Sequence, residues 1–245
     1  MTTLKNPTIE KIHSRGYWRV NIHPTMFKKD RFTLSQCTEI MESSVVRLRV
    51  SPYPYLREGE IIVGGKDWIE WSGEYDCYIE YWRYYRSGQF IHHFACYEDW
   101  MPSDNITTSA IRKLRKAGES YLSLTPTIFS ITEIFEFAAR LAAKNAFTPG
   151  AVLSIKLENI KDRTLIWDSF LGHTLSIPTK VHMGLRKSHI PEIEFEGTFS
   201  DTDLLSRSSE LALDAVESIF GQFNVDTSAR DIWAQEQARL FERRW

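Results

Sequence analysis

Residues 74–86 read EYDCYIEYWRYYR, and the architecture depends on whether this aromatic run is helical or extended. As a strand, the run would place Glu80 on one face and Arg83 on the other, each among aromatic rings. As a helix, it separates one polar stripe from one aromatic stripe, which comprises Tyr75, Tyr78, Tyr81, Trp82 and Tyr85. Gly88 then suits the left-handed residue that ends a helix. We therefore predict a helix over 74–86, although aromatic residues intrinsically favour strands.

The segments on either side of this run carry shorter patterns. Thr33 and Gln36 have the spacing of a capping box, and the apolar residues that follow predict a helix over 34–43. Gly64 and Gly65 predict a tight turn before Trp68. The other elements predicted in this half are a helix over Thr8–Ser14 and strands over Tyr17–His23, Val45–Val50 and Gln89–Tyr97.

The clearest helical signal lies in the second half of the chain. Ser130 and Glu133 form a capping box, and Phe129 and Ile134 take the positions of a hydrophobic staple, so we predict that a helix begins at Ser130. The remaining predictions are a basic helix over Thr107–Ala117, a strand over Tyr121–Leu124, a hairpin of Ala151–Leu157 with Thr164–Trp167, an irregular segment over Asp168–Ile190, a strand around Ile193 and Phe195, and two C-terminal helices over 212–223 and 228–242.

These elements mix strands and helices without a regular βαβα alternation. The pattern indicates the α+β class, with a mixed or antiparallel sheet packed by helices and two C-terminal helices. We predict a single domain over residues 1–245, and a subdivision into 1–125 and 126–245 is the alternative.

The composition excludes several classes of protein. Of 245 residues, 42% are hydrophobic and 25% are charged, which is typical of a globular domain and excludes a disordered or collagen-like chain. The net charge of −2 argues against a basic nucleic-acid coat. The sequence contains no apolar run long enough to span a membrane, and its start lacks the apolar stretch of a signal peptide. Three cysteines (Cys37, Cys77 and Cys96) form no CxxC pair, so we expect free thiols in the cytoplasm and no contact with a membrane.

No known catalytic or cofactor motif is present. Gly64-Gly65-Lys66 lacks the upstream glycine of a P-loop, and GxGxxG, HExxH, GxSxG and E-x-K are all missing. Adjacent residues His92 and His93 point to opposite faces of a strand, so at most one can join a given site. The carboxylates of Glu192, Glu194 and Glu196 could bind a divalent ion, but they are more typical of a solvated strand face. We therefore predict no catalytic residue, no metal and no cofactor, while a hydrolase with an unrecognised carboxylate or histidine site stays a third alternative.

Two binding functions compete. A basic run, Arg112, Lys113, Arg115 and Lys116, is the candidate nucleic-acid site, and five aromatic residues could stack on bases: Tyr53, Tyr55, Trp68, Trp71 and Trp100. Against it, a basic helix is often a solvated face in a chain of negative net charge.

A protein-binding surface is the other account. Twelve of the 32 aromatic residues lie between Trp68 and Trp100, more than one helix stripe and one strand face can easily bury. Aromatic residues and arginine dominate interface hot spots, although the same rings could fill a large core. The candidate protein-binding residues are Tyr53, Tyr55, Trp68, Trp71 and Trp100.

Three stretches carry a resemblance to a known group of proteins. They are His13-Ser-Arg-Gly-Tyr-Trp-Arg-Val20, Tyr81-Trp-Arg-Tyr-Tyr-Arg-Ser-Gly-Gln-Phe90 with Glu98-Asp-Trp100, and Ser130-Ile-Thr-Glu-Ile-Phe-Glu-Phe-Ala-Ala-Arg-Leu141. Together they resemble a widespread family of uncharacterised bacterial proteins of similar length. The resemblance implies a bacterial cytoplasmic protein and assigns no site residue. A role beside other subunits, for example in a defence system, is a separate hypothesis.

The sequence thus favours a non-catalytic protein-binding or regulatory subunit of a bacterial cytoplasmic assembly, with a protein partner or a second copy of itself. A nucleic-acid-binding accessory protein is the alternative.

Overall fold

The computed structural model describes residues 6–56, 62–102, 109–166, 186–225 and 230–243. Within these ranges the helices are α1 (Pro7–His13), α2 (Leu34–Ser44), α3 (Ser109–Lys116), α4 (Leu124–Ala143), α5 (Asp201–Gly221) and α6 (Arg230–Phe241). The strands are β1 (Tyr17–Pro24), β2 (Val63–Gly64), β3 (Trp68–Tyr75), β4 (Tyr78–Tyr85), β5 (Phe90–Ala95), β6 (Tyr121–Ser123), β7 (Gly150–Glu158), β8 (Thr164–Ile166), β9 (Arg186–Lys187) and β10 (Glu192–Ser200). A short 3-10 turn spans Tyr97–Asp99.

Seven of these strands form the main sheet. Their order is β10-β7-β1-β5-β4-β3-β2, and every neighbouring pair is antiparallel. A smaller sheet has the order β6-β8-β9, in which β6 and β8 are parallel. The predicted α+β class, with an antiparallel sheet and two C-terminal helices, is confirmed.

The predicted helix over 74–86 is wrong. Strands β3 and β4 form an antiparallel hairpin there, and Asp76 adopts a left-handed φ of 55° in the turn. The mixed faces are tolerated because each charged side chain finds a partner on a neighbouring strand. Glu80 accepts a hydrogen bond from His92 on β5 if that ring nitrogen carries the proton, and Arg83 pairs with Glu70 on β3. Gly88 does take a left-handed φ of 88°, but in the turn between β4 and β5.

Three further predictions need correction. Helix α4 begins at Leu124, six residues before Ser130, so Ser130 and Glu133 lie inside the helix and cap nothing. The predicted strand over Val45–Val50 is reduced to one bridge between Val46 and Tyr53. The predicted hairpin of 151–157 with 164–167 does not form, because β7 belongs to the main sheet and β8 to the smaller one.

Other local signals are confirmed. The Thr33 hydroxyl accepts from the Gln36 backbone N–H at 3.2 Å, and the Gln36 side chain accepts from the Thr33 N–H at 2.9 Å, which is the predicted capping box at the start of α2. The helix predicted at 8–14 is present as α1, and the strands predicted at 17–23 and 89–97 are present as β1 and β5. The turn predicted before Trp68 is present too. Most of the predicted irregular segment, including His173 and His182, lies outside the described residues.

The two faces of the main sheet differ in how they are covered. The inner face carries Trp82 and Tyr84 of β4 and packs against α4, which packs in turn against α5. On the outer face, α1 places Ile9 and Ile12 over Tyr81. Burying each large apolar side chain contributes roughly 1.5–3 kcal/mol, so the inner layer supplies most of the driving force for folding. In the part of the chain that the structure describes, no helix combines the length and apolar character needed to cross a bilayer.

Candidate functional site

An apolar cavity of about 310 Å³ opens on the inner side of the main sheet. Strands β1, β4 and β5, the 49–53 loop and the first turns of α4 enclose it. The rings in its wall are Trp18, Tyr53, Tyr78, Phe94, Tyr97 and Phe129. We call this space the aromatic cavity. Its size and its apolar lining with few polar groups are those of a small-molecule site.

The aromatic cavity accounts for part of the surplus of aromatic residues between Trp68 and Trp100. Five of the twelve rings in that range are buried: Trp71, Tyr81, Trp82, Tyr84 and Phe90. Tyr75 is exposed, and the other six are partly exposed. Three of those six, Tyr78, Phe94 and Tyr97, line the cavity. Half of the partly exposed rings therefore face an internal space.

Arg49 is the basic residue of the 49–53 loop that reaches the cavity wall. Its Nε lies 3.1 Å from both carboxylate oxygens of Glu133, and its Nη2 contacts Glu133 and Ser130. Glu133 is fully buried inside α4, so this ion pair fixes the loop to the helix. In the described residues Nη1 of Arg49 has no hydrogen-bond partner, which leaves its two N–H donors for a ligand.

Glu80 and Tyr53 of the cavity wall are joined through His92 in a hydrogen-bonded chain. Nε2 of His92 lies 3.1 Å from Glu80 Oε2, and Nδ1 lies 3.1 Å from the Tyr53 hydroxyl. Because an ionised carboxylate only accepts, a neutral His92 carries its proton on Nε2, and Nδ1 accepts from Tyr53. The Tyr55 backbone N–H also donates to Glu80, at 3.2 Å. Strand β4, strand β5 and the loop are thereby held in register around the cavity.

Glu98, in the turn after β5, is the most perturbed carboxyl of the wall. It is 3% exposed, and its Oε1 accepts from the Ser123 backbone N–H, at the start of α4, at 2.8 Å. Burial raises the pKa of Glu98 to about 7, although this hydrogen bond and Arg163 oppose the shift. Glu98 therefore exchanges its proton near neutral pH and can donate or accept a hydrogen bond there.

The thiol and the phenols of the wall are poor nucleophiles. Burial raises the pKa values of Cys96, Tyr53 and Tyr97 well above their ordinary range. Each stays protonated at neutral pH, whereas nucleophilic catalysis needs a lowered pKa or an adjacent base that takes the proton. Tyr53 does donate to His92, but burial keeps its proton in place.

The structure divides the candidate protein-binding residues into two groups. Tyr53, Tyr55 and Trp71 are buried in the chain by itself, so they form no exposed docking patch. Trp68 and Trp100 are partly exposed. The Arg83 guanidinium lies 4.0 Å from the ring centroid of Trp68, and that of Arg15 lies 4.2 Å from that of Trp100.

The candidate nucleic-acid residues lie on α3. Arg112, Lys113 and Lys116 are exposed, while Ile111 and Leu114 pack into a small apolar cluster. Arg115 is half-buried and donates to the backbone oxygen of Glu98 at 3.2 Å. Nucleic-acid binding by this helix stays a prediction.

The three glutamates of β10, Glu192, Glu194 and Glu196, are not arranged as a metal site. Glu194 pairs with Lys156 of β7 at 2.8 Å and accepts from Ser154. Over the described ranges, no group of three or more His, Cys, Asp or Glu side chains is placed to hold a metal ion.

Arg49, Glu80 and Glu98 of the wall were not among the site residues predicted from the sequence. Each has an aromatic or apolar residue beside it, and no motif groups the three. The usable signal was the charge itself, since a charged side chain inside an aromatic segment must find a partner in the fold.

Comparison with known proteins found no matching family model, no matching curated protein and no matching solved structure.

Proposed function

We propose that this chain is a non-catalytic ligand-binding subunit that holds a small aromatic or heteroaromatic molecule in the aromatic cavity. The observation that carries the proposal is the cavity of about 310 Å³ with six rings in its wall and four charged side chains, Arg49, Glu80, Glu98 and Arg239. A volume at the lower end of the range for ligand pockets suits a molecule of one or two rings.

The polar groups of the wall narrow the ligand class. Glu80 and Glu98 lack a Lys or Arg ion-pair partner among the described residues, and both accept hydrogen bonds. The two arginines of the wall are largely neutralised, Arg49 by Glu133 and Arg239 by Glu236. A ligand with hydrogen-bond donors on its ring system, such as a nucleobase-like heterocycle, would complement these carboxyls, while the aromatic rings stack on it or meet it edge to face.

Binding fits the wall better than hydrolysis does, because its phenols and thiol are held protonated by burial. Following the sequence resemblance, we assign this ligand-binding role to a regulatory subunit of a bacterial cytoplasmic assembly, such as a defence system.

The test is ligand-observed NMR with a library of one-ring and two-ring heteroaromatic fragments. In Ser130→Trp an indole would occupy the cavity from the partly exposed side of α4. Ser206→Trp places the same ring on the exposed surface of α5 and is the matched control. We expect fragments to bind the natural chain and the Ser206 variant but not the Ser130 variant. Absence of any fragment binding to the natural chain, or equal binding to all three proteins, would contradict the proposal.

Protein docking through Trp68 is the second candidate function. Arg83 is fixed by its ion pair with Glu70 at 2.5 Å and stacks on Trp68, so the partly exposed ring is preorganised on the outer face of the sheet. Preorganised Trp–Arg clusters are typical of interface hot spots. Size-exclusion chromatography with light scattering should show an oligomer or a co-purifying protein that Trp68→Ala removes and Phe27→Ala, at another exposed ring, retains. A strictly monomeric natural chain without a partner would count against docking.

A further inference from the structure

A second cavity, of about 540 Å³, lies on the other side of Glu98. Three arginines from different parts of the chain line it: Arg15 follows α1, Arg115 lies on α3, and Arg163 precedes β8. We call this space the polar cavity. Three guanidinium groups from separate elements meet there, which distinguishes it from a single basic helix.

Arg163 forms the buried side of the polar cavity and is 1% exposed. Its Nη2 pairs with Asp99 Oδ2 at 2.5 Å, and its Nη1 donates to the Tyr121 backbone oxygen at 2.7 Å. A Cβ at Gly16 would collide with this guanidinium, so the glycine makes room for it. Within the described residues Nε of Arg163 is buried without a hydrogen-bond partner. A buried donor without a partner is costly, which points to a missing acceptor.

Arg15 and Arg115 are the other two arginines of the polar cavity, and both are more exposed than Arg163. Arg15 donates to the backbone oxygen of Asp99 and stacks on Trp100, and Arg115 donates to the backbone oxygen of Glu98. Neither guanidinium pairs with a carboxylate in the portion of the chain that the structure describes. Each keeps further N–H donors and its full positive charge.

The charge balance of the polar cavity is positive. Asp99 is neutralised by Arg163, and Glu119 pairs with Lys187 at 2.7 Å. Burial raises the pKa of Glu98 to about 7, which reduces its negative charge at neutral pH. Arg15 and Arg115 form no ion pair with a carboxylate among the described residues, and a half-ionised Glu98 offsets only part of their charge. Guanidinium groups bind phosphate oxygens through paired, charge-assisted hydrogen bonds.

We propose that the polar cavity binds a phosphate group, held by Arg15 and Arg115 above the buried guanidinium of Arg163. The phosphate could belong to a free small molecule or to the backbone of a nucleic acid, because exposed Arg112, Lys113 and Lys116 lie on the same helix as Arg115. Both sources present the same chemistry to the arginines.

The test is calorimetric titration of the full chain with pyrophosphate at constant low ionic strength. Arg15→Gln and Arg115→Gln each remove one guanidinium, and both side chains are exposed or half-buried, so the fold should persist. Lys113→Gln removes the same charge from the exposed face of α3 and is the matched control. We expect each arginine variant to weaken binding at least about tenfold, as the loss of a charge-assisted hydrogen bond does, and the lysine variant to bind like the natural chain. No pyrophosphate binding to the natural chain, or an equal loss in the lysine variant, would overturn the proposal.

Fluorescence polarisation with a single-stranded oligonucleotide then separates the two sources. Binding that depends on both Arg115 and Lys113 and falls steeply with salt identifies a nucleic-acid backbone. Pyrophosphate binding that depends on Arg15 and Arg115, with no oligonucleotide binding, identifies a small phosphate-bearing molecule. Thermal unfolding midpoints of all variants establish that the fold is intact.

Discussion

Glu98 contributes to two cavities that treat charge in different ways. On the aromatic side, Arg49 is paired with the buried carboxylate of Glu133. On the polar side, Arg15 and Arg115 donate to backbone carbonyls, which carry no charge to neutralise them. The first cavity therefore selects a ligand by ring shape and hydrogen-bond donors, whereas the second selects an anion. One short segment, Tyr97–Asp99, serves both, because Tyr97 and Glu98 line the aromatic cavity while Glu98 and Asp99 line the polar one.

Breaking the ion pair of the aromatic cavity should have the largest effect. Arg49→Met leaves the Glu133 carboxylate buried without its partner, so we expect the free energy of unfolding to fall by about 3–5 kcal/mol. Urea denaturation followed by circular dichroism measures the change.

The double variant Arg49→Met/Glu133→Gln is the control for this experiment. It removes the uncompensated charge along with the pair, so most of the lost stability should return. If the double variant is no more stable than the single one, the carboxylate is not the source of the cost.

The wall between the cavities should give the next largest effect, visible as a pH dependence. The folded chain holds the Glu98 proton up to about pH 7, while the unfolded chain releases it near the ordinary value of 4.5. The contribution of Glu98 to the free energy of unfolding therefore falls by roughly 3 kcal/mol as the pH rises from 4.5 through 7. Glu98→Gln keeps a hydrogen-bond acceptor for Ser123 and should abolish this fall, leaving the variant more stable than the natural chain at pH 8.

His93 affects the pH dependence of the free energy of unfolding in the opposite direction. The effect of Glu98 is therefore measured as the difference between the natural chain and Glu98→Gln. Burial lowers the pKa of His93 to about 3, hence its contribution to stability is lost as pH falls from 6.5 towards 3. Subtracting the pH profile of Glu98→Gln from that of the natural chain isolates the carboxyl. Glu196→Gln, at an exposed residue of β10, is the control for the same carboxyl-to-amide change at the surface. A flat difference profile for Glu98→Gln would contradict the assignment.

Removing one neutral hydrogen bond from the aromatic cavity should change the free energy of unfolding less than the Arg49 or Glu98 substitutions do. Tyr53→Phe keeps the ring in the wall but removes the hydroxyl that donates to His92 Nδ1. We expect a loss of roughly 1 kcal/mol in the free energy of unfolding, as for a typical buried hydrogen bond. An unchanged stability would mean that water or another group replaces the hydroxyl, which a crystal structure of the variant would reveal.

The sequence predicted the fold class but misassigned residues 74–86, which build part of the aromatic cavity. The helical interpretation separated the polar from the apolar residues of the run. That criterion is correct for a helix or strand that has one solvent-exposed face and one buried face. Strand β4 instead lies inside a seven-stranded sheet, where Glu80 meets His92 and Arg83 meets Glu70 on adjacent strands. A pattern within one segment contains no information about such partners, since they come from other strands.

Glu133 shows how a local signature can hide a long-range role. Its spacing from Ser130 matches a capping box, yet Ser130 lies inside α4, and the carboxylate pairs with Arg49, 84 residues away. By contrast, the capping box of Thr33 and Gln36 was predicted correctly because both partners lie within one helical turn. The cavities could not be predicted for the same physical reason, because each is lined by four or more separate segments.

The smallest effect should come from the rim of the polar cavity, and it would show whether that cavity responds to charge. Glu119 and Lys187 form a partly exposed ion pair, so Glu119→Gln should change the free energy of unfolding by less than about 0.5 kcal/mol. The same substitution removes a negative charge from the rim and leaves Lys187 unpaired by Glu119. We therefore expect calorimetry to show pyrophosphate binding roughly twofold to fivefold tighter at low ionic strength, with the gain disappearing at high salt because exposed charges are screened. The aromatic cavity provides the internal control, since fragment binding there should not change. Unaltered pyrophosphate affinity at low salt would show that the bound anion lies too far from Glu119 to respond to its charge. Pyrophosphate would then bind outside the polar cavity.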